Sequence, residues 1–356
     1  MAKITDLAKS LKGTSDAALI YSEVNRRYYT DFPSSDGCLL VCADGFARFW
    51  TDSRYTEAAG KTITACDVCD STDLAKQLNE IFRERNIKTV CIEADRMTVA
   101  EYKKVCKDLS DVAIDDSDVL TKLIENQRMV KTEDELESIL AAQKIAEEAF
   151  DYILGEIKVG KTEKEIQLAL DYYMLSHGAE ALSFETICVS GANSSMPHGV
   201  PTDKKIEDGD FLTLDYGAVV NGYHSDMTRT VFIGTPTEEQ KEVYNTVLAA
   251  QKASLAALKD GVTGVEADKV GRDIIAEAGY GKSFGHGTGH GVGIEIHEEP
   301  RVSPKSAHTL HTGHVVTVEP GIYLPGKFGV RIEDMAVITE NGHRNLTTCP
   351  KELICL

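Results

Sequence analysis

The chain has 356 residues, of which 42% are hydrophobic, and a formal net charge of −19. Its length allows it to bury a large core, and we expect two domains. The excess of acidic groups argues against nucleic acid or an anionic membrane surface as a partner, because both repel a polyanion.

The sequence also lacks the apolar runs that are typical of membrane-spanning and exported proteins. No stretch approaches the roughly 18 apolar residues of a membrane span. The first residues, MAKITDLAKSLKG, contain no apolar signal core. We therefore expect a cytoplasmic protein that does not bind a membrane.

Residues 1–127 are predicted to form a smaller α/β domain with a mixed sheet, because short apolar runs alternate with amphipathic segments. A strand is indicated at 17–22, and Asp44-Gly45 between two apolar runs predicts a tight hairpin. Residues 73–85 carry apolar side chains at helical spacing. No pattern of catalytic residues is visible here, and none of the ten histidines lies in this part.

The second predicted domain covers residues 128–356. Thr132 and Glu135 form a capping-box pattern, and apolar residues follow them at helical spacing. We therefore expect a long helix at the start of this domain.

The second domain contains an internal repeat. LAAQKI at 140–145 returns as LAAQKA at 248–253, and the strand-like LTLDYG at 212–217 is matched by VTVEPG at 316–321. Between these, each copy has a G-x-T-x-x-E helix start and a helix that ends at glycine. The residues concerned are Gly160, Thr162, Glu165 and Gly178 in the first copy, and Gly261, Thr263, Glu266 and Gly279 in the second. Four matched features in the same order predict two related halves, each with two helices followed by two strands, around a pseudo-twofold axis.

Two acidic residues lie in the strand pair of the first half. Asn221-Gly222 is a favoured two-residue hairpin turn. If these residues form the loop, Asp215 and Asp226 lie diagonally on one face, about 7–8 Å apart at the backbone, and Gly217 leaves room for a cation. The ordinary alternative is a pair of acids on a solvated face, but acids are depleted inside such apolar strands. We therefore interpret both aspartates as metal ligands.

Histidines occur in a glycine-rich segment, residues 281–297. Six glycines between residues 281 and 293 argue against a helix. In an extended segment His286 and His290 share one face, and His297 follows seven residues after His290. A single histidine here would ordinarily be structural, but several together favour a site.

The second half carries glutamates in both of its predicted strands. Glu319 lies where the repeat places Asp215 in the first copy, and Glu333 shares a strand face with Arg331. An Arg–Glu pair in a strand is ordinarily a cross-strand ion pair, but the neighbouring glutamate favours a metal site. Together with His290, the acids of the two halves form an oxygen-rich set that can hold two divalent cations in a metal-dependent hydrolase.

Several motifs are specific enough to indicate a family. LDYGAVVNGYHSDMTRT, GTGHGVG followed by HEEPR, VEPGIY and VRIEDM together resemble the Xaa-Pro aminopeptidase and prolidase metallopeptidases. The resemblance runs through residues 130–356 and implies the α+β pita-bread fold of that family, built from two pseudo-symmetric halves. The N-terminal domain resembles the creatinase-type domain that precedes the catalytic domain in prolidases.

The resemblance also implies which residues bind metal. Asp215 would be a terminal ligand of one ion, and Asp226 and Glu333 would bridge both ions. His290 and Glu319 would bind the second ion, and Glu319 would also handle the proton of the attacking water.

Further active-site residues are implied by the same resemblance. His198 matches the family histidine that contacts the scissile-bond region, and His297 matches the one that stabilises the oxyanion. His286 and Arg331 match other active-site positions. Arg301 could pair with the free carboxylate of a dipeptide substrate, or it could be structural.

The activity that the resemblance implies is hydrolysis of the bond between an N-terminal residue and a following proline, by an Xaa-Pro aminopeptidase. An Xaa-Pro dipeptidase (prolidase) with the same site is the alternative, and a non-catalytic peptide-binding module is a distant one. Carboxylate-rich sites suit Mn²⁺, with Co²⁺, Zn²⁺ and Fe²⁺ as alternatives. Similar enzymes are often homodimers, so we expect a homodimer that acts on proline-containing peptides.

Overall fold

The computed structural model describes residues 2–356 and divides into two compact units, Met1–Arg128 and Met129–Leu356. Both units combine helices with β-sheets, as the predicted α+β class requires. Within residues 2–356, no helix is both long and apolar enough to cross a membrane.

The first unit is built on a single sheet with helices packed against it. The strands of this part are β1 (Ala17–Ile20), β2 (Cys38–Cys42), β3 (Ala47–Thr51), β4 (Asp67–Asp70), β5 (Thr89–Ile92) and β6 (Ala113–Asp115). The helices are α1 (Ala2–Leu11), α2 (Glu23–Thr30), α3 (Thr56–Thr62), α4 (Leu74–Glu84), α5 (Val99–Asp108) and α6 (Val119–Met129). The strand order is β4-β3-β2-β1-β5-β6, and β1 pairs antiparallel with β2 and parallel with β5. The mixed sheet predicted from the sequence is therefore confirmed.

Local sequence explains two of these elements. Gly45 has φ +94° and allows the turn between β2 and β3, and Asp44 Oδ1 accepts a 2.9 Å hydrogen bond from the Phe46 N–H. Helix α4 buries Leu78 and Phe82, which lie one turn apart on its apolar face. These apolar side chains join the core of the sheet.

The second unit contains the two predicted halves. The helices of the first half are α7 (Glu133–Glu156) and α8 (Glu163–Ser176), and those of the second are α9 (Glu238–Ala257) and α10 (Gly264–Glu277). The strands of the first half are β7 (Ala181–Leu182), β8 (Ile187–Ser190), β9 (Phe211–Tyr216), β10 (Ala218–Val220), β11 (Tyr223–His224) and β12 (Met227–Phe232). Those of the second half are β13 (Gly289–Gly291), β14 (Glu298–Val302), β15 (Val315–Val318), β16 (Gly321–Leu324), β17 (Phe328–Arg331), β18 (Asp334–Thr339) and β19 (Gly342–Asn345). In each half a helix pair precedes an antiparallel strand pair, β9 with β12 and then β15 with β18.

Capping boxes start all four helices, three of them at the predicted positions. Thr132, Thr162 and Thr263 each accept a hydrogen bond from the backbone N–H three residues later, and the glutamate at that position bonds back to the threonine N–H. Each box satisfies two N–H groups that a helix N-terminus otherwise leaves without a partner. The helix starts read from the repeat are therefore confirmed.

The hairpin of the first half has the predicted register. Asn221 and Gly222 both have positive φ, +50° and +81°, and Val220 pairs with Tyr223. The role of Gly217 differs from the expected one, however. A Cβ at this residue would lie 1.9 Å from the backbone oxygen of Ser225, so glycine is needed for the close approach of two strands rather than to make room for a cation.

A buried ion pair joins β12 of the first half to β18 of the second half. Arg229 Nη2 on β12 donates to Asp334 Oδ1 on β18 at 2.8 Å, and both side chains are almost fully buried. Arg229 Nη1 donates to the backbone oxygen of Glu333 at 2.6 Å. Burial alone would raise the pKa of Asp334, but the neighbouring Arg229 and Lys351 outweigh burial and lower it. The pair therefore fixes the backbone at Glu333.

Replacing Asp334 by Asn should lower the free energy of unfolding by about 3–5 kcal/mol, because Arg229 is then left as an uncompensated buried charge. Urea denaturation of the wild type and the variant measures this loss. Asp273→Asn is the matched control, since Asp273 pairs with Lys269 on the exposed surface of α10 and such pairs contribute about 0–1 kcal/mol. Equal losses in the two variants would contradict the account.

Candidate metal centre and active site

A cavity of about 750 Å³ in the second unit is lined by all of the predicted site residues. The expected metal ligands around it are Asp215, Asp226, His290, Glu319 and Glu333. The other expected site residues around it are His198, His286, His297, Arg301 and Arg331. The fold thus brings together residues that are more than a hundred positions apart in the chain.

Four of the candidate ligands lie at or next to the ends of strands, and the fifth lies in a three-residue strand. Asp215 is the penultimate residue of β9, and Asp226 directly precedes β12. In the second half, Glu319 directly follows β15 and Glu333 directly precedes β18. His290 is the middle residue of β13. Each half therefore contributes one acid on or beside each strand of its antiparallel pair.

His290 lies close to three of the candidate acids. One ligand atom from each of Asp226, His290 and Glu333 lies within 4.8 Å of the other two. His290 Nε2 is 3.5 Å from both Asp226 Oδ2 and Glu319 Oε1. Its Nδ1–H donates to the Gly291 carbonyl oxygen at 3.0 Å, which leaves the Nε2 lone pair facing the carboxylates. Burial lowers the pKa of His290 to about 3, so the ring is in the neutral form that binds metal.

The four acids of this cluster have one positively charged side chain to offset them. Burial raises the pKa of Asp226 and Glu333 well above their ordinary values and that of Glu319 to about 8. Among residues 2–356, Arg331 is the one lysine or arginine within ion-pair distance of any of the four acids. Asp215 Oδ1 is buried and has no hydrogen-bond partner among the same residues. Clustered oxygen donors with unmet charge are the chemistry that divalent cations fit.

Arg331 orients one of these acids and connects it to a tyrosine that sequence reasoning missed. Its Nη2 donates to Asp215 Oδ2 at 2.5 Å, and its Nη1 donates to the Tyr323 hydroxyl at 2.8 Å. The Tyr323 O–H lies 2.9 Å from His286 Nε2, while His286 Nδ1–H donates to the Gly287 carbonyl at 2.8 Å. Tyr323 lies inside the VEPGIY motif, which was the available signal.

Thr228 is a second residue that the sequence reasoning missed. Its hydroxyl donates to Glu333 Oε2 at 2.8 Å and accepts from Arg331 Nε at 3.1 Å. The Glu333 N–H donates to the Thr228 carbonyl oxygen at 3.1 Å. Both the backbone and the carboxylate of Glu333 are thus held by β12, a strand of the other half.

The glycines around His290 are explained by the crowded backbone on both sides. A Cβ at Gly289 would lie 1.9 Å from the Thr317 backbone oxygen, and one at Gly291 would lie 2.3 Å from that of Glu299. Strand β13 therefore fits between β14 and β15 only where it has no side chains. The one side chain it carries is that of His290, which is buried and lines the cavity.

A buried aspartate of α10 supports the same segment. Asp268 accepts hydrogen bonds from the Thr288 N–H at 3.0 Å and from Arg272 Nη2 at 2.8 Å. Arg272 Nη2 also donates to the His286 carbonyl oxygen at 2.7 Å. Helix α10 thereby fixes the backbone between the two histidines.

The remaining predicted residues lie on two walls of the cavity. The His297 ring is 4.4 Å from the His290 ring, centroid to centroid, and burial lowers the pKa of His297. Arg301 follows on β14, and its Nε is 3.7 Å from Glu299 Oε1. His198 lies on the loop after β8, exposed to the cavity.

Comparisons with known proteins agree with this geometry. Residues 137–340 match the model of metallopeptidase family M24, and residues 2–130 match the creatinase/prolidase N-terminal domain. The chain belongs to metallopeptidase family M24. It is therefore a metallopeptidase of a family that uses divalent metal ions, and the resemblance and fold expected from its motifs are confirmed.

Individual relatives match the enzyme over nearly its whole length. The Xaa-Pro dipeptidase of Pyrococcus furiosus is 43% identical over 352 residues, with 95% of each chain covered. The structure of an Xaa-Pro dipeptidase from Bacillus anthracis is 39% identical and covers 100% of this chain and 99% of that one, with a TM-score of 0.95. An X-Pro aminopeptidase structure from Thermotoga maritima is 38% identical, covers 96% and 98%, and has a TM-score of 0.89.

In the metal-free enzyme, the raised pKa of Glu319 should make the free energy of unfolding decrease as the pH rises. A folded pKa of about 8 against an ordinary value of 4.5 means that the folded state retains a proton that the unfolded state has released. That contribution to stability is complete below about pH 4.5 and is lost as the pH rises towards 8. After chelation, the thermal midpoint of Glu319→Gln relative to wild type should therefore rise between about pH 6.5 and about pH 8. A constant difference, or one that shrinks, would contradict the prediction.

Proposed function

We propose that the enzyme is an Xaa-Pro dipeptidase, or prolidase, which hydrolyses the bond between an N-terminal residue and a C-terminal proline. The observation that carries the proposal is the convergence of five oxygen and nitrogen ligands in one cavity of a family M24 chain. The motifs alone favoured an aminopeptidase that acts on longer peptides. The relatives support the dipeptidase alternative better, since Xaa-Pro dipeptidases of two Pyrococcus species match at 38% and 43% identity.

In this proposal Asp215, Asp226, His290, Glu319 and Glu333 would hold two divalent metal ions, and Asp226 and Glu333 would be ligands of both. Such ions, when bound, polarise the substrate carbonyl and lower the pKa of a water molecule. Mn²⁺ is the ion that a set with four carboxylates and one imidazole favours, ahead of Co²⁺, Zn²⁺ and Fe²⁺. The unpaired Asp215 Oδ1 and the lone pair of His290 Nε2 support this assignment.

Glu319 is the acid best placed to move a proton. Its side chain is 19% exposed, whereas that of Asp226 is 6% exposed, so the Glu319 carboxylate is the more open to the cavity. A carboxylate in this position can accept the proton of the attacking water and deliver it to the departing proline nitrogen.

Two histidines serve the scissile bond in this proposal. His297 stands beside the ligand His290, where an imidazole N–H can stabilise the negative charge that develops on the carbonyl oxygen. His198, on the opposite loop, contacts the scissile-bond region. Arg331 and His286 support the metal ligands. Arg331 holds Asp215 in place, and His286 is linked to Arg331 through the Tyr323 hydroxyl.

The cavity also offers contacts for the proline residue of an Xaa-Pro dipeptide. Apolar side chains, including Phe184, Ile187 and Ile296, line it and can contact the proline ring. Arg301 lines it with a guanidinium side chain that is 42% exposed. That charge can pair with the free C-terminal carboxylate of a dipeptide.

An Xaa-Pro aminopeptidase is the second candidate, because the Thermotoga maritima structure carries that name at 38% identity. The substrates of the two candidates differ on the C-terminal side of the proline, where a dipeptide has a free carboxylate and a longer peptide has a further peptide bond. A homodimer and a cytoplasmic location stay predictions from the sequence.

Replacing Asp226 by Asn should lower kcat/KM for Ala-Pro by more than about 100-fold, since loss of residues that merely support metal ligands already costs roughly 10- to 100-fold. Bound metal, measured by inductively coupled plasma mass spectrometry, should fall in parallel. Asp273→Asn, at the exposed Lys269 pair, is the control that should change neither quantity. Full turnover by the Asp226 variant would overturn the metal-site assignment.

Replacing Arg301 by Met should raise KM for Ala-Pro by roughly 10- to 100-fold with little change in kcat, because a charged hydrogen bond to the bound substrate is lost. Ala-Pro amide, which has no carboxylate, is the matched substrate and should be cleaved equally by both enzymes. Wild-type preference for Ala-Pro over Ala-Pro-Ala would support the dipeptidase. Preference for the tripeptide, together with an unchanged KM in the variant, would favour the aminopeptidase.

A further inference from the structure

The wall of the cavity that carries His198 is a loop whose two ends are tied to one buried carboxylate. We name this segment, residues 190–202, the His198 loop, and its residues 197–201 line the cavity. The carboxylate belongs to Glu163, the first residue of α8, which is fully buried.

Glu163 divides its two oxygens between the two ends of the His198 loop. Oε1 accepts hydrogen bonds from the Ser190 N–H at 2.6 Å and the Ser190 hydroxyl at 3.0 Å. Oε2 accepts from the Thr202 N–H at 3.0 Å and the Thr202 hydroxyl at 2.7 Å. Asn193 Nδ2 lies 3.2 Å from both oxygens. One side chain thus closes a loop of more than ten residues.

The helix itself does not require this carboxylate. The N-terminus of α8 is already capped by Thr162 and Glu165. No lysine or arginine in the described part of the chain lies within ion-pair distance of Glu163, so the N–H and O–H groups of the loop are the partners of its carboxyl oxygens. The nearby Lys204 instead bonds to Ser190 Oγ at 3.0 Å and Asp210 Oδ2 at 2.7 Å.

The second half of the enzyme provides an internal comparison. There the residue after the capping threonine is Gly264, and its N–H donates to the His308 carbonyl at 2.9 Å, as the Glu163 N–H donates to the Lys204 carbonyl at 3.0 Å. A Cβ at Gly264 would lie 2.3 Å from the Arg301 backbone oxygen. The backbone connection between helix and loop therefore forms without any carboxylate, and the carboxylate of Glu163 is an addition specific to the His198 loop.

His198 depends on its loop for its position. Its side chain is exposed, and it forms no hydrogen bond to other residues in the 2–356 range. The neighbouring Pro197 carbonyl oxygen accepts from Arg331 Nη1 at 3.2 Å, and Ser194 Oγ accepts from the Gly329 N–H at 2.9 Å. The loop is therefore held from the metal side by Arg331 and from the helix side by Glu163.

We propose that Glu163 is a positioning residue, which fixes the His198 loop and thereby the distance of His198 from the metal centre. The inference rests on the proposed peptidase function and adds a residue that controls kcat without touching the substrate. A displacement on the order of 1 Å at a reacting centre costs on the order of 100-fold in rate.

The test is the isosteric variant Glu163→Gln, studied alone and in a His198→Ala background. A glutamine amide offers one acceptor oxygen and one NH₂ group, which cannot accept from a backbone N–H, so one end of the loop is released. The variant should lower kcat by roughly 10- to 100-fold and change KM by less than about 3-fold. In the His198→Ala background the same change should lower kcat by less than about 2-fold, because the two residues act as one unit. Glu165→Gln, which alters the neighbouring cap and not the loop, is the matched control and should leave kcat near that of the wild type.

The kinetics are measured with whichever of Ala-Pro and Ala-Pro-Ala the wild type cleaves faster, so the outcome does not depend on the choice between dipeptidase and aminopeptidase. An unchanged kcat in Glu163→Gln, or equal losses in the two backgrounds, would overturn the inference. Hydrogen–deuterium exchange of residues 190–202 tests the loop without any substrate, and faster exchange is expected in Glu163→Gln than in wild type or Glu165→Gln. If the wild type cleaved neither peptide, the proposed function would fail, and unchanged exchange would separately overturn the role of Glu163.

Discussion

Four carboxylates around one cavity, with one arginine to offset them, are the constraint on which the site of the second unit depends. Asp215, Asp226, Glu319 and Glu333 line one cavity, and Arg331 pairs with only the first of them. Burial raises the pKa of the other three, because carboxylates of like charge in a poorly solvated site resist ionisation. Divalent cations reverse that preference, because their charge stabilises the ionised carboxylates.

The duplicated architecture explains how acids so distant in sequence meet. Each half supplies an antiparallel strand pair with one acid on or beside each strand, and the Arg229–Asp334 pair and the Thr228–Glu333 bond tie the two strand pairs together. His290 enters from β13, whose glycines allow close packing beside β15. The cavity is then bounded by the loop that carries His198 and by the segment that carries His297 and Arg301, of which Arg301 lies on β14. The same packing that stabilises the halves therefore also builds the site.

Much of this could be predicted from residues with local signatures. The capping boxes at Thr162 and Thr263, the Asn221-Gly222 turn and the resulting register of β9 with β12 obey short-range rules. The candidate ligands could be picked out because acids inside apolar strands and histidines among glycines are unusual. Thr228 and Glu163 could not, because their partners lie on other strands or loops and common residue types carry no spacing signal for such contacts. For Tyr323 the VEPGIY motif was the one signal, and its contact with Arg331 appears only in the structure. The role of Gly217 was misinterpreted for the same reason. The Ser225 backbone leaves no space for a side chain there, and only the structure shows this contact.

The most direct test of the central claim is a crystal structure of the wild type grown with Mn²⁺, with anomalous diffraction used to locate the ions. The account predicts two anomalous peaks in the cavity, both within coordination distance of Asp226 and Glu333, with His290 and Glu319 on one ion and Asp215 on the other. An absence of peaks among these residues, or a well-occupied peak located elsewhere with the acid cluster free of metal, would contradict it.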